Sequence, residues 1–413
     1  MKNIQIKEPA AAEIPAPRGE GARAAWILAM GTFAVGTDAF IVSAFLPRMA
    51  EGLSVTEAMA GQSVSAFALA YALLAPVIAT ATSTVARRKL LVWSLALLGA
   101  FNLASALCTS LSALILTRIA AAAAAAAYTP NAGAVAAALA HPARRARALS
   151  VVIGGLTVAT ALGVPLGHVV SAVMDWRASL ALVGIISLAA AAAVFAVMPA
   201  MPGGARIGLR QRLSVLKRPG VMRILPLTVL GMAACYAPYA FTIRILETLR
   251  IPAASLTVML FVYGLGAFAG NYASGRATDR RGPVPVLACA YGAMAIALGG
   301  LAGLAAAGEG PGFYFAAALI ACWGASSWAQ TPAQQHRLIA AAPQEAPLVI
   351  ALNASGIYLG ISAGTGIGSL AVGQGVPALL GTGSALALAS LGYIAMTGAA
   401  RRKAAASGAP GPG

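Results

Sequence analysis

Charge is what this sequence has least of: 9% of its 413 residues are Asp, Glu, Lys or Arg, against roughly 25% in an average soluble domain. A water-soluble chain of this length would lack the polar groups to cover its surface, so lipid must replace water around most of it. Acidic residues number 11 and histidines 3, which leaves little from which to assemble acid–base catalysis or a metal centre. The four cysteines, Cys108, Cys235, Cys289 and Cys322, all fall inside apolar stretches without pairing or ligand spacing. They read as small packing residues, and neither a disulfide nor a bound metal is expected. Period-2 alternation is also missing, which excludes the strands of a membrane barrel.

What is present is apolar length. Hydrophobic residues make up 60% of the chain and mean hydropathy is +0.82, concentrated in stretches of about twenty residues rich in Ala and Leu, the length that spans a bilayer as a helix. Six spans are predicted at Ala24 to Leu46, Ala60 to Ala81, Leu90 to Leu107, Ser112 to Ala138, Leu149 to Val173 and Leu180 to Met198. Six more follow at Ile224 to Thr248, Ala253 to Gly275, Val284 to Ala307, Phe313 to Ala333, Leu348 to Ala371 and Pro377 to Ala399. The expected fold is all-α, a polytopic membrane protein of two six-helix bundles. Its organisation is a tail over 1–23, a bundle over 24–199, a basic linker over 200–222, a second bundle over 223–399 and a tail over 400–413. The run from Ala24 is too long for a signal-peptide core and shows no cleavage site, so the first helix is expected to be retained.

The formal net charge of +17 does not form a nucleic-acid-binding patch, because its cations sit between apolar stretches. Counting them in alternate loops sets the orientation, since Lys- and Arg-rich loops stay in the cytoplasm. With the N-terminus inside, one side holds 23 cations, six of them in or beside the linker (Arg206, Arg210, Arg212, Lys217, Arg218, Arg223), and the other holds only Arg48, Arg177, Arg244 and Arg250. Both termini are therefore expected in the cytoplasm, in a bacterial inner membrane.

The two halves repeat each other, a common trace of a transporter built by duplication. Thr129-Pro130 matches Thr331-Pro332 at an offset of 202, and Pro142 matches Pro343 at 201. Gly155, Gly163 and Gly167 match Gly356, Gly364 and Gly368 at 201, while Tyr71 to Arg88 aligns with Tyr263 to Arg280 at 192. The drift fits a longer connection around Gly308 to Gly312.

Three motifs carry mechanism. Gly270-Asn271 followed by Gly275-Arg276-Ala277-Thr278-Asp279-Arg280-Arg281-Gly282 stands at the end of the eighth helix and in its short following loop, and resembles the loop signature of the major facilitator superfamily. The corresponding first-half stretch, Thr82 to Lys89, has lost the Gly and the Asp. Gly155 and Gly163-Val164-Pro165-Leu166-Gly167 in the fifth helix, with Trp176-Arg177 beyond, are similar to the glycine and proline motif of the superfamily's antiporter branches. Gly36-Thr37-Asp38-Ala39-Phe40, with Leu46-Pro47 ending the first helix, is similar to the twelve-helix drug/proton antiporter branch, the sugar and drug efflux-like permeases. The resemblance implies alternating access of two bundles around a midplane site, with Gly275, Asp279 and Arg280 as gating residues and no cofactor beyond a proton gradient.

Asp38 is the one carboxylate well inside an apolar span. Placing an acid there costs roughly 2.5 to 3.5 kcal/mol, so it is expected to be paired, cavity-facing or functional. Arg118 in the fourth helix is the expected partner: both lie roughly 9 to 14 Å from the same surface at 1.5 Å per residue. Together they are the candidate proton-coupling pair. Candidate cavity residues are Thr37, Asn131, Tyr236, Tyr239, Trp328, Gln330 and Asn353, and the Ala120 to Ala127 run is expected inside the bundle. Gly155, Gly163, Pro165 and Gly167 are expected to allow close sliding contact, Gly163 and Gly167 against helix eleven at Gly364 and Gly368. Glu247 is expected to pair locally with Arg244, while His141 and His336 are expected in loops and His168 near a helix end.

The expected function is proton-coupled efflux of a small organic molecule such as a drug, sugar, nucleoside or siderophore, by a monomer whose partners are substrate, protons and lipid. Import of a small metabolite is the alternative; a membrane sensor or membrane-embedded enzyme finds little support in the residues present. The topology is directly testable: reporter fusions after Arg210 and Ala406 should both report the cytoplasm, and an external signal at Arg210 with an internal one at Ala406 would break the six-plus-six division.

Overall fold

A computed structural model describes residues 20–406 apart from 142–143, 205, 207 and 309–311. The predicted N-terminal tail therefore lies outside the described residues up to position 19, as does Pro142 of the internal repeat. Twelve long helices cover most of the described chain: α1 (Glu20–Phe40), α2 (Glu57–Ala81), α3 (Arg87–Ala106), α4 (Leu111–Leu139), α5 (Arg145–Val158, continued through Ala159–Gly163 and Val164–Val173) and α6 (Trp176–Val197). The second set is α7 (Pro219–Tyr239), α8 (Leu256–Arg281), α9 (Pro283–Ala307), α10 (Phe313–Ala341), α11 (Ala346–Ala371) and α12 (Val376–Ala406). An even number of crossings puts the start of α1 and the end of α12 on one side, here the termini side; the other is the far side.

Polar residues in the short far-side loops start three of these helices. Thr56 Oγ1 accepts the Met59 N–H at 3.2 Å, Ser110 Oγ that of Ala113 at 3.4 Å, and Asp175 Oδ1 that of Trp176 at 2.6 Å, each satisfying an otherwise orphaned donor. The cap at Asp175 is why α6 opens at Trp176 rather than at the predicted Leu180. Likewise α8 runs on through Arg281 and is stopped by Gly282, whose φ of +79° suits glycine. Asp279 and Arg280 are thus on the last helical turn, not in a loop. Helix α10 continues through Pro332 to Ala341, which makes His336 helical rather than a loop residue.

Two predicted spans prove to be broken. The first ends as an α-helix at Phe40 and continues as a tighter turn, Ile41–Ala44, and a short helix, Leu46–Gly52; the seventh ends at Tyr239 and resumes as Thr242–Thr248. Pro47 and Pro238 stand at these breaks, where a missing N–H interrupts the helical ladder. In α5 the ladder widens to a π-helical turn over Ala159–Gly163, beside Pro165, whose absent N–H leaves the Ala161 carbonyl without its usual donor.

Eleven of the long helices are apolar enough to cross a membrane on composition; α10 falls short among the described helices. Its Ser326, Ser327, Gln330 and Gln334 are buried, so protein rather than lipid surrounds its polar face.

The packing repeats between halves. In the first bundle α1 lies on α5, α2 on α4 and α3 on α6; in the second α7 lies on α11, α8 on α10 and α9 on α12. The bundles meet through α2 against α11 and α5 against α8. The glycine contacts follow the same symmetry and correct one expectation. A side chain at Gly163 would collide with Thr37 of α1 and one at Gly167 with Ile41 of the turn that follows it, whereas Gly364 and Gly368 abut Ala233 and Ala237 of α7. Helix α11 uses its other face, with Tyr358 and Ser362, against α2, which turns its glycines into its own bundle. The alanine run of α4 is buried at Ala121, Ala122 and Ala124 to Ala127, as expected.

A methyl added at Gly364 would stand 2.6 Å from the Ala233 carbonyl oxygen, while one at Gly381 meets nothing within 4 Å. Gly364→Ala is expected to cost about 1 to 3 kcal/mol by overpacking and Gly381→Ala to be neutral or slightly stabilising. Thermal melts of the two purified variants in one detergent check this; equal melting temperatures would refute the close backbone contact.

Candidate functional site

Helices α1 and α4 bring Asp38 and Arg118 together in the interior of the first bundle. The Arg118 guanidinium binds the Asp38 carboxylate through Nη1, and its Nη2 donates to the Asp38 backbone carbonyl at 2.8 Å. Both side chains are at most 1% exposed, and among the described residues they are the one buried carboxylate and the one buried guanidinium. Nη1 also reaches Asn102 Oδ1 on α3 at 3.4 Å, and the guanidinium face lies over the Phe67 ring of α2, 4.5 Å from its centroid. Asp38 Oδ2, Arg118 Nε and Thr37 Oγ1 are buried without a hydrogen-bond partner. Such a pair survives burial because each ion compensates the desolvation of the other.

Around Phe40, next on α1, aromatic rings of both bundles converge. Phe40 lies 6.0 Å from Tyr236 and 5.8 Å from Trp328 between centroids; Tyr236 packs on Tyr239 at 5.0 Å, and Tyr239 on Tyr263 at 5.0 Å. Three predicted cavity residues, Tyr236, Tyr239 and Trp328, thus belong to one aromatic cluster around Phe40, two residues beyond Asp38 in the chain.

Three others do not join it. Asn131 accepts a 2.7 Å hydrogen bond from Arg87 Nη1 and donates to the Ala127 carbonyl at 2.8 Å, which ties it to the termini-side end of α3. Gln330 accepts from the Tyr291 hydroxyl at 3.2 Å and donates to the Ser327 carbonyl at 2.9 Å; Asn353 accepts from Thr228 at 3.0 Å. These amides are taken up within their bundles, because an amide in hydrocarbon must find several partners and neighbouring helices supply them.

The gating residues divide likewise. Gly155 is pressed against Thr32 and the Ala29 carbonyl of α1, continuing the contact of Gly163 and Gly167. Gly275, by contrast, has no neighbour within 4 Å where a side chain would stand, and Asp279 and Arg280 are exposed; the close approach in α8 comes earlier, at Gly266 and Gly270 against the backbone of α10. On the far side Arg244 stands 3.9 Å from Glu57 of the other bundle, rather than pairing with Glu247 as expected, because the short helix Thr242–Thr248 packs on Ile41–Ala44 and Leu46–Gly52 of the first bundle. Nearby, buried His168 lies inside α5, its Nδ1 2.8 Å from the Ala44 carbonyl. Gly61 against Ser369 and Phe241, and Gly264 against Ala161, close the far side between the bundles.

Sequence reasoning missed Asn102, Phe67 and Tyr358. The signal for Phe67 was its i, i+4 spacing to Tyr71, which places both rings on one face of α2.

A sequence model of the Major Facilitator Superfamily matches residues 28–365. The chain belongs to that superfamily. It is a multi-pass membrane transporter acting on small molecules, and its relatives and fold are those of transporters rather than enzymes. It is 35% identical over 273 residues to a chloramphenicol resistance protein of Streptomyces lividans, covering 64% of this chain and 69% of that one. It is 28% identical to the inner membrane transport protein YdhP of Escherichia coli K12, over 84% of this chain and 88% of that one. Among solved structures, a bacterial homologue of the human lysosomal transporter Spinster, in an inward-facing and unoccupied conformation, superposes with a TM-score of 0.68 at 15% identity, covering 92% of this transporter and 95% of that chain.

Removing one member of a buried ion pair costs about 3 to 5 kcal/mol because the other charge is left uncompensated, whereas replacing both with neutral groups is often tolerated. Arg118→Met is therefore expected to lower the melting temperature of the transporter more than Asp38→Asn with Arg118→Met together. Melts at neutral pH check the order; a double variant no more stable than the single one would show that the pair is not what destabilises Arg118→Met.

Proposed function

We propose that the transporter is a proton-driven exporter of small organic molecules, carrying them out of the cytoplasm by alternating access in a bacterial inner membrane. The observation that carries this reading is the Asp38–Arg118 pair, a titratable carboxylate buried beside the contact zone of the two bundles with one oxygen free of hydrogen bonds. Buried acids in transporters of this architecture serve proton transfer more readily than stability. Two influences act on Asp38 in opposition: removal from water penalises its charge, and the guanidinium favours it. Any rearrangement that alters the hydration of Asp38 or its distance from Arg118 then changes its proton affinity. Each tenfold change in that affinity is worth about 1.4 kcal/mol, on the scale that separates two conformations of one protein.

Efflux is supported by the chloramphenicol-resistance relative. The substrate would meet Thr37, Tyr236, Tyr239 and Trp328, with Phe40, on the aromatic wall between the bundles. With the two buried charges paired to each other, this wall favours molecules without net charge. The glycines Gly155, Gly163 and Gly167 and the π-turn at Pro165 let α5 move against α1 as the bundles rock. The cation count supports termini and linker on the cytoplasmic side, and the transporter would act as a monomer.

Chloramphenicol uptake into everted vesicles under an imposed pH gradient is the first measurement, alongside a panel of neutral and charged compounds. Accumulation is expected to follow the gradient. In proteoliposomes Asp38→Asn should retain equilibrium binding and lose at least about tenfold of gradient-driven accumulation, and Arg118→Ala should impair coupling without abolishing binding. If Asp38→Asn still moves substrate uphill with an unchanged dependence on the pH gradient, Asp38 is only the structural partner of Arg118.

A further inference from the structure

The ion pair lies wholly within the first bundle, yet a transport cycle requires its state to be felt by the second. One contiguous set of rings connects them. The Arg118 guanidinium is bound by Asp38 through Nη1 and Nη2, and its Cζ stands over the Phe67 ring, 4.5 Å from the centroid. Phe67 in turn stands 6.4 Å from Tyr358 of α11, with the rings tilted by 52°, and Tyr71, one turn along α2, stacks on the same Tyr358 at 3.7 Å and 20°. Tyr358 is therefore held from two sides by an i, i+4 pair on α2, while α11 is fixed to α7 through Gly360 and Gly364. Phe67 is 2% exposed and Tyr358 8%.

We propose that Phe67 is the positioning residue that conveys the charge state of the Asp38–Arg118 pair to the α2–α11 contact between the bundles, a proposal that rests on the reading of Asp38 as the proton-coupling carboxylate. When Asp38 is ionised, the guanidinium has its counter-ion at its edge. When Asp38 takes up a proton, the guanidinium keeps its full charge and loses that counter-ion. The partners that remain are the Asp38 backbone carbonyl at 2.8 Å, the neutral Asn102 carbonyl and the electron-rich ring of Phe67, so the attraction between cation and ring takes a larger share of the hold on Arg118. A planar guanidinium that recentres over the ring shifts or tilts Phe67, and Phe67 cannot move without altering its contact with Tyr358, since close-packed rings exchange discrete arrangements rather than deform. The proton is bound in one bundle and read in the other.

The test separates this from the function of Asp38 itself. Spin labels at Ser112→Cys and Gln374→Cys, on exposed far-side positions of the two bundles, report far-side opening by dipolar distance in nanodiscs, with the four native cysteines replaced by Ser. Without Phe67 or Tyr358 altered, the ratio of closed to open populations is expected to change about tenfold between acidic and alkaline buffer, and Asp38→Asn should abolish the change. Phe67→Leu and Tyr358→Leu should each reduce it below about twofold, while the carboxyl infrared band that Asp38→Asn removes still titrates. Tyr358→Phe keeps the ring and should keep the response, which guards against a variant that merely misfolds. A full response in Phe67→Leu with none in Asp38→Asn overturns the relay alone. A full response in both overturns the Asp38 reading and the relay with it.

Discussion

A carboxylate and a guanidinium held out of water need each other, and much of this transporter is arranged so that they meet. Asp38 sits near the end of the regular part of α1, before its break, and Arg118 two turns into α4. The alanines that follow Arg118 let α4 come close to its neighbours, so the long arginine side chain reaches across rather than outward. The groups that touch the Arg118 guanidinium besides the Asp38 carboxylate are an aromatic ring and two amide carbonyls, all neutral. Among the described residues no third carboxylate, lysine or arginine is buried with them to blur the response of the first two.

The second physical theme is duplication without duplication of chemistry. Each bundle has a broken first helix, a glycine-lined contact between its first and fifth helices, and a second helix packed on its fourth. Among the described residues the second bundle has no buried equivalent of the ion pair and instead holds Thr228, Asn353, Gln330, Gln334 and Tyr291 in a neutral hydrogen-bond set. One bundle carries charge and the other carries aromatic rings and amides, on the same scaffold.

The twelve spans and their pairing into halves were legible because apolar length is the strongest signal a membrane chain offers, and Asp38 and Arg118 were legible because charge inside such a span is rare. Amides and glycines were harder. Asn131, Gln330 and Asn353 look alike in sequence whether they face a cavity or a neighbouring helix, and only the rotation of each helix decides it. Gly163 and Gly364 share a repeat position, which suggested that they meet; repeat symmetry instead gives each the same partner within its own bundle. The breaks after Phe40 and Tyr239 were marked by Pro47 and Pro238, but hydropathy runs straight through them because the pieces beyond are equally apolar. Asp279 and Arg280 were assigned to the loop beyond the eighth span because the charged stretch around them reads as one, whereas backbone hydrogen bonding carries the helix to Arg281.

The polar character of α10 bears on how the transporter is made. The amides of a less apolar span gain from partners on neighbouring helices, and those of α10 lie on α7 and α9, which are synthesised before it. Chain order therefore lets the earlier helices offer a receptive surface when α10 leaves the ribosome. Thr228 and Tyr291 are in this sense assembly residues: they give the buried amides of α10 their partners within the second bundle.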